Sequence, residues 1–286
     1  MIVQQYLSLI KFSHTIFALP FAIIGFFLAT QYFGYDFSWQ VLGLVLLCMV
    51  FARSAAMAFN RYIDRDIDSR NPRTAIREIP AGVISPQRAL LFVALNSLAF
   101  IITTTYINWL CFFLSPVALL IVLGYSYTKR FTHWCHLILG LGLSLAPIGA
   151  FVAVSGEFSE LLPILFSAIV LFWVSGFDII YALQDEQFDK DNQLHSVPAE
   201  MGKNKALTVS VLLHFVCALL VVGVGLYAGF RAWYWLGAII FIGLLIRQHQ
   251  LVKPNDLSKV NLAFFTTNGI ASVVFAIAVL LELFLA

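Results

Sequence analysis

Asn60, Asp64 and Asp68 stand at four-residue spacing in AMAFNRYIDRDIDSRNPRTAIREIPAG, Ala56 to Gly82. On a helix, positions i, i+4 and i+8 fall on nearly one face, so an amide and two carboxylates point the same way. Far downstream, FDIIYALQDEQFDKD carries Asp178, Tyr181, Asp185 and Asp189. Asp185 and Asp189 repeat the i,i+4 device, and Asp178 precedes Asp185 by seven residues. Such oxygen donors suit Mg²⁺, which keeps several waters and usually bridges one or two carboxylates to a substrate phosphate. A single loop carboxylate would read as a solvated helix end. Two same-face clusters, in a chain with only 15 Asp and Glu among 286 residues, point instead to a site for hard cations and an anion. Asp66, Glu186, Asp191 and Glu200 fall off these faces and read as surface.

Basic groups accompany the acids. Arg73 and Arg77 follow the first cluster, Lys129 and Arg130 close an apolar run, and Lys203 and Lys205 follow the second cluster. Some are topology signals or lipid-headgroup contacts; beside a metal cluster, others suit a departing anion such as a diphosphate. Arg53 lies seven residues before Asn60, about 10 Å further along the helix, inside an apolar zone where an ionisable group is a functional candidate unless it snorkels to the interface. His14, in KFSHTIFALPFA, is a weaker cavity candidate, since a lone His near the start of an apolar run is more often structural.

These residues must be positioned by membrane helices. The chain is 61% hydrophobic and 11% charged, with mean hydropathy +0.90, against about 25% charged for a typical globular domain. Apolar runs long enough to cross a bilayer recur from end to end. Nine spans are predicted, roughly 13–31, 41–60, 89–107, 109–127, 136–154, 161–181, 207–229, 232–248 and 260–284. Long polar connections alternate with short ones, and 15 of the 17 Lys and Arg lie in the N-terminal segment or at the polar connections and their flanks. The positive-inside rule then places the N-terminus and both acidic clusters in the cytoplasm. The expected fold is all-α: one domain over residues 1–286, nine transmembrane helices around a central cavity open to the cytoplasmic side. The acidic clusters, four spans apart, would face each other across it.

Cys48, Cys111, Cys135 and Cys217 are scattered singly in apolar surroundings, so neither disulfide nor zinc site is expected. No small-residue cleavage site ends the first apolar run and no Arg/Ser-rich transit peptide precedes it, which favours a prokaryotic cytoplasmic membrane. The chain has no GxxxxGK[ST] loop, HExxH or nucleophile elbow, and no basic, aromatic-interleaved surface for nucleic acid. Nothing marks an obligate protein partner beyond the bilayer itself.

The chain resembles the UbiA superfamily of intramembrane aromatic prenyltransferases along nearly its whole length. NRYIDRDID, Asn60 to Asp68, matches the family signature NDxxDxxxD, and DIIYALQDEQFD, Asp178 to Asp189, matches DxxxD with its upstream Tyr and Asp. YSYTKR (Tyr125–Arg130) resembles the family's Lys-bearing segment, and HSVPAEMG (His195–Gly202) the loop after its second motif. Two departures stand out: Arg61 occupies the place where the family often has Asp, and Glu78 interrupts the usual RPL run. MAFNRxxDRxxDxxNPRT is similar to a 4-hydroxybenzoate polyprenyltransferase-like branch, which also includes proteins assigned to prenylating aminodeoxyfutalosine in an alternative menaquinone route.

The resemblance implies Mg²⁺-dependent transfer of a polyprenyl group from an isoprenoid diphosphate to an aromatic acceptor in ubiquinone or menaquinone biosynthesis. Asn60, Asp64, Asp68, Asp185 and Asp189 would hold the metal. Arg73, Arg77 and Lys129 would stabilise the departing diphosphate, Asp178 and Tyr181 would position the reacting groups, and Arg53 would meet an acidic acceptor. A cation-coupled transporter is the competing class, but transporters place binding groups near the midplane, whereas these acids gather at one face. A non-catalytic scaffold would have no need of an intact ligand set.

Overall fold

The computed structural model describes residues 2–11, 15 and 17–286. Among them every regular element is helical, apart from one isolated bridge between Lys253 and Asp256. A short helix α1 (Ile2–Leu9) precedes α2 (Leu19–Phe27), which runs into a π-helical turn, Leu28–Tyr32. Next come α3 (Trp39–Ile63), the single turn α4 (Arg65–Asp68), α5 (Pro86–Thr105), α6 (Trp109–Thr128) and α7 (Cys135–Ser155). Helix α8 (Leu161–Ala182) passes through a 3₁₀ turn, Leu183–Asp185, into α9 (Glu186–Asp191). Helices α10 (Val197–Tyr227) and α11 (Ala232–Leu251), a second π-helical turn (Leu262–Thr267) and α12 (Asn268–Leu285) complete the chain.

Among the described residues, seven segments are long and apolar enough to cross a membrane: α3, α5, α6, α7, Leu161–Asp191, α10 and Leu262–Leu285. This is a multi-pass membrane protein. The first expected span corresponds to the shorter Leu19–Tyr32, and the start of that span, with His14, lies outside the described residues. The eighth corresponds to α11, whose C-terminal end carries Arg247, Gln248 and His249. The seventh expected span begins ten residues late at residue 207, because α10 starts within the polar segment. Ser196 accepts a hydrogen bond from Ala199 N, Pro198 sits in the first turn and Glu200 follows; these are helix-start signals that act whatever the hydropathy. A non-helical Gly202 (φ 77°) then bends the chain into the apolar stretch.

Helix α7 packs against α8, α8 against α10, α3 against α5, and α11 against α12. Small residues let backbones approach, as van der Waals packing in lipid requires. A Cβ on Gly25 would strike the Pro147 carbonyl of α7, and one on Gly140 would strike Leu171 O and Ser175 Oγ of α8. The core is aromatic, with Trp173, Phe166, Phe241 and Phe275 fully buried. It also holds a polar knot. Trp173 Nε1 and Gln248 Nε2 donate to Asn268 Oδ1 at 2.8 and 2.7 Å, while Asn268 Nδ2 donates to the Phe264 and Ala263 carbonyls at 2.9 and 3.2 Å. Those carbonyls belong to the π-helical turn, whose wide register leaves acceptors that a side chain must meet.

Candidate functional site

Helix α3 extends beyond the apolar stretch and ends where Asp64 leaves helical geometry (φ −89°, ψ 3°), but Asp68 N still reaches Asp64 O at 2.7 Å. The chain therefore stays nearly helical through α4, and Asn60 Nδ2 donates to Asp64 Oδ2 at 3.0 Å, as the i,i+4 spacing requires. The second cluster straddles a change of helix type: Asp178 and Tyr181 end α8, Asp185 closes the 3₁₀ turn and Asp189 lies in α9.

Both clusters meet at a cavity of about 860 Å³. Asn60, Asp64, Asp68, Arg73, Arg77, Lys129, Asp178, Tyr181, Asp185 and Arg53 all reach its wall. Asp189 is fully buried and stands one layer back, paired with Lys129 Nζ at 2.7 Å and accepting from Ser196 Oγ at 3.0 Å. A second, almost wholly apolar cavity of about 420 Å³ lies among α3, α5, α6 and α7. Arg53, Met57, Tyr125, Leu139 and Leu143 line both spaces, so the polar chamber adjoins the apolar one.

Each of the four candidate metal-binding carboxylates is matched by a cation. Arg130 Nη2 donates to Asp64 Oδ1 at 2.8 Å, and Arg77 Nη1 to both oxygens of Asp68 at 2.7 and 2.8 Å. Arg73 grips Asp185 with two nitrogens, Nε to Oδ1 at 3.0 Å and Nη2 to Oδ2 at 2.5 Å, and its Nη1 donates to the Tyr181 hydroxyl at 3.0 Å. Such a bidentate, charge-assisted pair is among the strongest polar contacts a protein makes. It joins the loop after the first motif directly to the second. Burial pushes the Asp64 carboxyl above its ordinary range, against the pull of Arg130. Burial pulls Lys129 and Arg73 down, but Asp189 and Asp185 respectively outweigh it and raise both, so both stay charged.

The remaining wall is aromatic and basic. The Tyr181 ring lies 4.1 Å, centroid to centroid, from Phe264, and the Phe264 ring sits 5.4 Å from Phe177. Asp178 Oδ2 meets His136 Nδ1 at 2.7 Å. The off-face acids behave as surface or structural groups: Asp66 is 82% exposed, Glu186 pairs with Lys190 and Lys203, and Glu200 pairs with His195.

The donor set fits a hard divalent cation, because it offers only amide and carboxylate oxygens. Among the described residues no three of the Asp, Glu, His or Cys side chains converge on one point; the acids are turned to their cations instead. Sequence reasoning missed four partners. Arg130 read as a flanking charge, yet it ties Asp64 to the Ile63 and Ser126 carbonyls at 3.0 and 2.9 Å. Asn71, which donates to Asp185 at 3.1 Å, and Ser196 stand in NPRT and HSVP, beside the motifs. His136 carried no signal beyond its position at the start of a span.

The family model for the UbiA prenyltransferase family matches residues 18–270. A 4-hydroxybenzoate octaprenyltransferase of Aliivibrio fischeri (strain MJ11) is 30% identical over 237 residues, covering 83% of this chain and 82% of that protein. One from Methylococcus capsulatus (strain ATCC 33009 / NCIMB 11132 / Bath) is 31% identical over 237 residues, with 82% and 80% covered. Among solved structures, the apo form of a UbiA homolog from Aeropyrum pernix K1 superposes with TM-score 0.85 at 31% identity, covering 94% of this chain and 98% of that one. A UbiA homolog from Archaeoglobus fulgidus bound to GPP and Mg²⁺ shares the fold, with TM-score 0.77, 23% identity and coverage of 98% and 99%.

Proposed function

Because this chain belongs to the UbiA prenyltransferase family, we propose that its cavity transfers a polyprenyl group from an allylic diphosphate to an aromatic acid, 4-hydroxybenzoate by preference. One observation carries the reading: a polar chamber walled by both acidic motifs and by the Arg73–Asp185 pair adjoins an apolar one, the two sharing wall residues. A molecule with a dianionic head and a hydrocarbon tail fits that junction. The curated relatives act, by name, on 4-hydroxybenzoate, and the Archaeoglobus homolog holds GPP with Mg²⁺.

In this reading the head lies between the motifs and the tail among α3, α5, α6 and α7. Asn60, Asp64, Asp68 and Asp185 would hold Mg²⁺, with Asp189 joining as Lys129 turns to the ligand. Mg²⁺ so bound supplies positive charge against the diphosphate oxygens. Arg73, Arg77 and Lys129 exchange their carboxylates for phosphate oxygens and stabilise the leaving group as the allylic C–O bond breaks. The faces of Tyr181, Phe177 and Phe264 shield the carbocation. Arg53, at the junction, pairs with the acceptor's carboxylate and aims the ring, whose carbon forms the new C–C bond. The ring proton passes to Asp178, oriented by His136. The apolar chamber excludes the water that would otherwise capture the cation.

The test uses purified protein in proteoliposomes with allylic diphosphates of several lengths, with and without Mg²⁺. 4-Hydroxybenzoate and aminodeoxyfutalosine are offered in parallel, and prenylated product is followed by mass spectrometry. Metal-dependent prenyl 4-hydroxybenzoate is expected. Product from aminodeoxyfutalosine alone would reassign the acceptor. No diphosphate release from folded protein would overturn the reaction and return weight to a transporter.

A further inference from the structure

Five arginines line the polar cavity, and they divide into two kinds. Arg73, Arg77 and Arg130 each hold a motif carboxylate. Arg53 and Arg61 do not: Arg53 Nε, and both Nε and Nη1 of Arg61, are buried without a hydrogen-bond partner among the described residues. Arg53 sits at the junction of the two chambers. Arg61 is in the last turn of α3, directly after the motif's Asn60, only 5% exposed, and feels the charges of Arg77, Asp68 and Glu78.

A buried guanidinium with nitrogens that bond to nothing, two of them in Arg61, is costly. A ligand that met those nitrogens would offset the cost. The planar donor fork favours oxyanions, phosphate above all. The surroundings choose between the anions of the reaction. Arg61 lies eight residues along α3 from Arg53, so about 12 Å nearer the motif-bearing end, and its neighbour Arg77 is itself a candidate diphosphate group. The aromatic acid is expected at the other end, beside Arg53.

We infer that Arg61 is a direct binding group for the diphosphate of the allylic donor, a fixed cation standing next to the metal-binding asparagine and adding its N–H donors to those of Arg77. This rests on the prenyltransferase reading and extends it by a residue that the acidic motifs do not supply. With four cations already matched to four motif acids, Arg61 brings positive charge that is uncommitted before the ligand arrives. Part of the head-group affinity should therefore persist without metal.

The test compares wild type, Arg61→Met, Arg61→Gln and Arg61→Lys in detergent micelles. It measures ligand-free melting temperature and calorimetric binding of inorganic diphosphate and of 4-hydroxybenzoate, each in Mg²⁺ and in chelator. Steady-state KM values for the allylic diphosphate and the acceptor accompany them. Expected is a ligand-free melting temperature for Met and Gln equal to or above wild type, because an unsatisfied buried charge is removed. Diphosphate affinity should fall on the order of tenfold to a hundredfold, the size of a lost charged hydrogen bond. The weak binding in chelator should vanish, the KM for the allylic diphosphate should rise, and 4-hydroxybenzoate binding should not move. Arg61→Lys should recover part of the diphosphate affinity.

Unchanged diphosphate affinity overturns the proposal, as does a loss confined to 4-hydroxybenzoate, which would put Arg61 on the acceptor side. Melting temperatures well below wild type for both Met and Gln would make the guanidinium structural and also overturn it. If wild type neither binds diphosphate nor forms product, the prenyltransferase reading fails first. If wild type turns over and the variants match it, only the role of Arg61 fails.

Discussion

Replacing Asp185 by asparagine separates what the Arg73–Asp185 pair contributes to folding from what it contributes to turnover. The side chain keeps its shape and can still accept from Asn71, but it loses the charge that holds two Arg73 nitrogens at 3.0 and 2.5 Å. Charged hydrogen bonds contribute about 1.5–3 kcal/mol. Because the Arg73 side chain is 33% exposed, water recovers part of that, leaving a stability loss of about 1–2 kcal/mol. Against a total of roughly 5–15 kcal/mol, nearly all molecules stay folded. If the pair were only a brace, activity would therefore hardly change. If Asp185 serves the diphosphate head, kcat/KM should fall on the order of a hundredfold to a thousandfold, or about 3–4 kcal/mol in the barrier. The assay is diphosphate release in proteoliposomes with monodispersity and melting checked on the same preparation. A kcat/KM within twofold of wild type, in folded protein, would refute the placement of Asp185 at the reacting centre.

Arg53→Met should raise the KM for the aromatic acid about tenfold or more, while slow hydrolysis of the allylic diphosphate without acceptor continues; equal loss of both reactions would move Arg53 to the diphosphate side. Chelation should abolish product, and restoration should follow the preference of oxygen donors for hard ions, Mg²⁺ or Mn²⁺ over softer metals; full activity in chelator would remove the metal from the scheme. Asn268→Leu should strand the buried donors of Trp173 and Gln248 at a cost of about 2–4 kcal/mol, read as a lower melting temperature and poorer retention of Phe264 beside Tyr181 by fluorescence quenching. Gly25→Val should push α2 off the Pro147 carbonyl and destabilise by about 3 kcal/mol or more, seen as loss of monodisperse protein, whereas Gly223→Ala, with open space around it, should be silent.

Much of this was legible in the sequence because membrane helices and acidic motifs both write themselves in residue types. The expected spans 109–127, 136–154 and 161–181 differ from α6, α7 and α8 by one residue at most at either end, since a sharp hydropathy edge and a helix end coincide there. At α10 they do not coincide: a capping serine and a proline start the helix in polar sequence, where hydropathy is silent. The ten lining residues named from spacing and resemblance do share one cavity, yet their pairing was hidden. Spacing reports which side chains share a helix face, not which loop folds across to meet them, and Arg73 reaches Asp185 over 112 positions. The π-helical turn at Leu262–Thr267 was invisible for a related reason: its carbonyls are stabilised by Asn268, a single amide in an apolar run that resembles any other tolerated polar residue.

The one-to-one matching of motif acids with cations makes the resting site behave like a conjunction. A lone divalent ion meets carboxylates already neutralised and must evict an arginine or lysine into a low-dielectric chamber. A lone diphosphate finds only Arg61 uncommitted, and to engage the other cations it must draw them away and leave bare carboxylates behind. Beyond the contact with Arg61, either ligand alone would replace good ion pairs with poor ones, whereas both together re-pair every charge in a single exchange. Binding of each should then tighten the other by the same factor, as linkage demands. The membrane would hold an enzyme that ignores magnesium alone, holds a stray diphosphate only weakly through Arg61, and commits its chemistry to the two in company.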